Sequence, residues 1–266
     1  MKRLLPLVTL TLGFSFVFGA KFWEKKPYTE WSERDAWSML NKSPWTGRVS
    51  VWARVNSASG LESTRVDISG GSDRTDHKDL RAETEAAQPA GRRLEGMQLE
   101  TDDSDTITYL IRFQLSDPVR RAMARLTLLG MEANSGGSLQ DRQMLDKFAQ
   151  TSPLENKIVV SVFTEDGRAP AALERVTQEE FMEYTYLLLK KSKRKLGLEQ
   201  YYSPARAQRM GLGSSGLFLF PRTEGGKELV TLAEKEVHFE TYVGKKLKIK
   251  KKFKLKKMMF DDKLAL

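Results

Sequence analysis

The sequence predicts an α+β fold, a mostly antiparallel sheet with a C-terminal β-hairpin, packed by three or four helices. Three observations predict it. Apolar residues alternate with polar ones through 236–243 and again through 246–257, the period of a half-buried strand. Helix starts are marked by Ser32 with Asp35, Ser138 with Asp141 and Thr177 with Glu180, each an N-cap and an acidic residue three positions on. Cysteine is absent, so no disulfide holds the 266 residues and a core must do so unaided.

In chain order, residues 1–20 read as a signal peptide. Lys2 and Arg3 form a basic start, Leu4 to Phe18 an apolar stretch, and Val17 and Gly19 fit the small residues before a cut. The alternative is a retained membrane anchor. Pro6, Thr9, Thr11, Gly13 and Ser15 interrupt the apolar run, which favours cleavage after Gly19 or Ala20. Residues 21–55 form a Trp-rich helix–strand start of the domain, with Trp23, Trp31, Trp37, Trp45 and Trp52. Such a cluster suits either a core or a sugar-stacking platform. A helix near 33–42, stopped by Pro44, and a strand at 47–55 both need burial, which favours the core.

From 56 to 105 the chain is polar, has no aromatic residue and shows no hydrophobic period. It reads as a flexible insertion, with Val66 and Ile68 as candidates for a short strand. Residues 106–266 then form the main part of the same domain. TITYLIRFQL, 106–115, is a β-branched and aromatic strand. The following helix, 118–129, has Ser116 as its cap, Pro118 in its first turn and Gly130 as its end. Further helices are predicted near 139–150 and 177–189, and further strands at 157–163 and 216–220. The run YLLLKKSKRK suits either helix or strand.

The hairpin is specific enough to fix a register. Positions 246, 248, 250, 252, 254 and 256 are all lysine, while Leu247, Ile249, Phe253 and Leu255 fall between them. On a helix these apolar residues would scatter around the axis, so the tail is a strand. With Gly244 to Lys246 as a three-residue turn, Val243 faces Leu247, Val237 faces Phe253, Glu240 faces Lys250 and Glu236 faces Lys254. A two-residue turn would bury lysines instead.

The net charge of +9 is concentrated here. Residues 245–266 hold ten lysines against Asp261 and Asp262, a net +8, which leaves +1 for everything earlier. A nearly neutral body argues against nucleic acid as a partner. The candidate anion-binding residues are Lys246, Lys248, Lys250, Lys252, Lys254 and Lys256, with KKSKRK at 190–195 as an addition. Their alternative role is a solvated strand face that discourages edge aggregation.

Other motifs carry little. GLGSSG, 211–216, has the spacing of a dinucleotide loop, but a polar segment precedes it and a strand follows it, the reverse of what a pyrophosphate needs. His77 and His238 are the only histidines, so a multi-histidine metal site is excluded, and neither accompanies a serine in a nucleophile-elbow setting. The acidic runs at 73–79 and 101–105 lack the glycine turn and terminal glutamate of a calcium loop. No catalytic, cofactor-binding or metal-ligating residue is nominated.

WSERDAWSMLNKSPW near the start, RFQLSDPVRRAMARL, FLFPR, and the ending KEVHFETYVG with KKFKLKKMMFDDKLAL resemble segments of an uncharacterised family of exported bacterial proteins. The resemblance covers about a third of the chain and implies export and a shared fold, with no site residues. The expectation is therefore an exported, periplasmic or extracellular protein of the cell envelope, a non-catalytic binding or structural protein without cofactor, and not integral to the membrane once the signal is removed. One alternative is a lysine-rich face that binds anionic envelope lipid or polysaccharide, and another is an unrecognised hydrolase.

Overall fold

A computed structural model describes residues 21–54, 62–67, 105–134, 136–164, 173–174, 176–243 and 247–266. The signal segment, most of the insertion, His77 and the hairpin turn with Lys246 lie outside the described residues.

The fold is α+β, but its strands form two main sheets where the sequence suggested one. Strands β1 (Thr46–Arg54), β2 (Glu62–Asp67), β3 (Asp105–Phe113), β4 (Lys157–Thr164), β7 (Gln200–Tyr202) and β8 (Gly216–Pro221) make an antiparallel sheet of order β2-β1-β3-β4-β8-β7. Strands β5 (Tyr186–Leu189), β6 (Lys195–Gly197), β11 (Glu236–Val243) and β12 (Leu247–Lys254) make a second, of order β12-β11-β5-β6. The predicted hairpin thus belongs to the smaller sheet. Two-residue strands β9 (Thr223–Glu224) and β10 (Lys227–Glu228), and β13 (Met259–Phe260) and β14 (Lys263–Leu264), form small ribbons.

The two sheets press their apolar faces together. Phe113 meets Phe253 edge-on at 4.9 Å between ring centroids, and Phe218 meets Phe239 at 5.5 Å. Val49, Ile111, Ile158 and Val160 from one sheet and Leu187, Val237 and Ile249 from the other complete this core. A smaller cluster of Leu115, Val159, Leu217, Leu219 and Ala207 lies on the far face of the larger sheet, which explains why β4 and β8 are apolar on both sides.

Helices α1 (Phe22–Lys25), α2 (Glu33–Lys42), α3 (Asp117–Ala133), α4 (Leu139–Gln150), α5 (Gln178–Tyr184) and α6 (Pro204–Arg209) accompany the sheets. Both halves of each predicted capping box are present at α2, α4 and α5. Helix α2 packs on α3 and β1, and α3 packs on α4. Trp31 and Trp45 are fully buried, and Trp45 donates from its indole nitrogen to the Ala265 carbonyl at 2.6 Å.

Several expectations are corrected. The helix predicted at 177–189 ends at Tyr184, where Thr185 turns extended and YLLL becomes β5, because Leu187 and Leu189 alternate into the core. Helix α3 runs through Gly130 to Ala133, and the Ser116 hydroxyl turns back to the Phe113 carbonyl at 2.9 Å instead of capping. The lysine strand predicted to 257 stops at Lys254, and Leu255–Lys257 form a 3-10 turn that buries Leu255. Val66 does lie in a strand, β2, while Ile68 is outside the described residues. GLGSSG is a loop through Ser215 that leads into β8 at Gly216, with positive φ at Gly211 and Gly213.

Lys251 breaks the dry flank of β12. Its side chain is 8% exposed and lies across Gly47, with Nζ donating to the Arg48 carbonyl at 3.2 Å. A Cβ on residue 47 would run into the Lys251 side chain, so glycine there gives that side chain room to lie across β1. Burial lowers the Lys251 pKa from its ordinary value, with Lys252 adding to the effect.

Candidate anion-binding face

The hairpin register is the one the alternation predicts, from Glu236 opposite Lys254 through Glu240 opposite Lys250 to Val243 opposite Leu247. Pairing with β5 and β6 extends each row across the smaller sheet. One row reads Lys252, His238, Leu188, Lys195, and the next reads Lys250, Glu240, Tyr186, Gly197. At the end of the sheet the Lys190 amide donates to the Glu236 carbonyl at 3.1 Å, beside Lys254. The topology therefore brings Lys190 and Lys195 from one basic run, and Lys248, Lys250, Lys252 and Lys254 from the other, onto one outward face.

The centre of that face is a buried carboxylate. Glu240 is 2% exposed and accepts from Lys250 at 2.7 Å, from the Tyr186 hydroxyl at 2.9 Å and from Lys248 at 3.1 Å. Lys195 stands 4.3 Å over the Tyr186 ring. Burial pushes the Glu240 pKa up, but hydrogen bonds from Lys250, Tyr186 and Lys248 outweigh it and hold the carboxyl below its ordinary value of 4.5. Lys252, Lys254 and, beyond the strand, Lys256 are exposed. Lys190, Lys195, Lys248, Lys250, Lys252 and Lys254 thus share the face with Glu236 and Glu240, and lysine outnumbers carboxylate.

His238 belongs to this face but lies beneath it, 4% exposed, with Nε2 3.3 Å from Glu236. Burial lowers its pKa below 6.5, and Lys250 and Lys190 add to this against the opposing pull of Glu236. A folded pKa below the unfolded one means that neutral His238 stabilises the fold above pH 6.5 and that this stability is lost as pH falls toward the folded pKa. Glu240 acts likewise in a lower window, its contribution falling away below 4.5. In urea melts from pH 8 to pH 5, the wild type should lose stability on acidification and His238→Phe should flatten that slope. Equal slopes would remove His238 from the account.

Among the described residues, no group of three or more His, Asp or Glu side chains is placed to hold a metal ion. The converging acids that hydrolysis would use are likewise missing from a cleft of about 530 Å³ between α2 and the outer face of the larger sheet, whose lining includes Arg34, Trp37, Lys42, Arg48 and Phe163. Sequence reasoning missed this cleft. Its one local signal was the spacing of Arg34, Trp37, Ser38, Asn41 and Lys42 along a single helix face.

No family model, curated protein or solved structure matches the chain significantly. Among the described residues, no helix is long and apolar enough to cross a membrane.

Proposed function

We propose that this is an exported, non-catalytic protein of the cell envelope that adheres through its lysine-rich sheet face to an anionic lipid surface. The observation that carries the reading is the meeting of lysines from two sequence-distant basic runs on one face, where Glu240 is already shared by Lys248 and Lys250. A strand face is broad, which suits a plane of headgroups. The signal-like start and the resemblance to exported bacterial proteins support the envelope setting. Each lysine near an anionic bilayer contributes on the order of 1 kcal/mol, within a Debye length of about 8 Å at physiological salt.

Co-sedimentation with phosphatidylglycerol vesicles tests this. Binding should exceed that to phosphatidylcholine vesicles and fall steeply between low and high salt. A variant carrying Lys190→Glu, Lys252→Glu and Lys254→Glu should bind at least about a hundredfold more weakly, since each reversal replaces attraction with repulsion. All three residues are exposed, so the variant should stay folded, and its melting temperature is read alongside binding. Binding that ignores ionic strength, or a variant that binds like wild type, would sink the proposal. Salt-sensitive capture by an acidic polysaccharide, without vesicle binding, would replace the lipid reading with the polysaccharide one.

A further inference from the structure

We infer that the α2 cleft is a second binding site, independent of the lysine face, for an acidic sugar: a pyranose ring carrying a carboxylate or phosphate. Its volume of about 530 Å³ falls in the range of small-ligand sites. Trp37 is 50% exposed at its edge, whereas Trp31 and Trp45 are fully buried. A half-exposed indole beside a cleft offers a stacking surface of the kind sugar rings use.

The cleft is also built to hold negative charge. Arg34 and Lys42 come from α2 and Arg48 from β1, and among the described residues no Asp or Glu lines the space. The acid beside it, Glu33, accepts from the Trp37 indole nitrogen at 3.4 Å and so orients the ring. Asn41 supplies an amide for hydroxyl groups, and its own position is fixed at both ends. Its Nδ2 donates to the Trp37 carbonyl at 3.1 Å, and its Oδ1 accepts from Arg112 at 3.3 Å.

Arg112 makes the floor rigid. It is buried, donates from Nε to the Leu40 carbonyl at 2.9 Å, and lies 4.6 Å over the Phe163 ring that lines the cleft. Burial pushes its pKa down to about 10, so it stays charged at neutral pH and adds a fixed positive field beneath the site. Aromatic platform, flanking cations and a hydrogen-bonding amide on a fixed floor together match a ring with an anionic substituent.

Titration calorimetry with trigalacturonate and with glucose 6-phosphate tests this, using a neutral galactose trimer and citrate as controls. One saturable site is expected for at least one acidic sugar, and which one binds separates a polymer source from a free phosphorylated sugar. The neutral trimer and citrate should each bind at least about tenfold more weakly. Trp37→Ala and Arg34→Ala, both on exposed positions, should each weaken binding about tenfold with the melting temperature unchanged. Lys252→Glu with Lys254→Glu should leave it unaltered, which separates this site from the lysine face. No saturable binding, equal binding of either control, or an unaffected Trp37→Ala variant would overturn the inference.

Discussion

Replacing Arg120 with Met should lower the unfolding free energy by about 3–5 kcal/mol, because it strips the donor from several carbonyls at once. Arg120 is 2% exposed. Its guanidinium donates to the Leu115 carbonyl at 3.0 Å, to Phe148 at 2.6 Å and to Ala149 at 3.1 Å, and it pairs with Asp117. One side chain therefore ties the start of α3 to the last turn of α4, whose final carbonyls have no partner within their own helix. Burial lowers the Arg120 pKa, partly offset by Asp117. Methionine fills similar volume but leaves three carbonyls without their donor, each at about 1–3 kcal/mol. Arg120→Lys should not rescue, because an ammonium does not reproduce the planar fork. Equilibrium urea unfolding reads both variants, and a lysine variant as stable as wild type would refute the account.

Trp45→Ala should cost about 3–5 kcal/mol as well, by a different route: a large cavity in the main core. The ring stands edge-on to Trp23 at 5.9 Å and to Phe260 at 6.5 Å, and its indole nitrogen serves the Ala265 carbonyl. Trp45→Phe separates packing from hydrogen bonding. It keeps an aromatic ring and loses the donor, so a smaller loss of about 1–3 kcal/mol is expected. If both variants fall equally in thermal melts, the hydrogen bond and not the packing dominates.

What the sequence made legible was local. Capping boxes involve residues three apart, and all three formed as read. The hairpin register followed from a period of two and one turn length. What it left illegible depends on contacts between distant segments. Nothing local says that β11 pairs with β5 instead of joining β8, so the split into two sheets stayed hidden. The same pairing brings 190–195 beside the lysine strand, which proximity in sequence does not show. Lys251 is buried because Gly47, some two hundred residues earlier, leaves it room. Trp37 looked like its buried neighbours in composition and differs only in the side of α2 it occupies. Strand β7 and helix α6 were missed because a three-residue strand and a six-residue helix are too short to show a period.

The Trp45–Ala265 and Arg48–Lys251 bonds span 220 and 203 positions of the chain. Ribosomes make β1 well before the groups that close over it, which follow some two hundred residues later. Until then these particular partners of β1 are missing, and this part of the core stays incompletely packed. Prolonged exposure of that kind favours chaperone contact during synthesis.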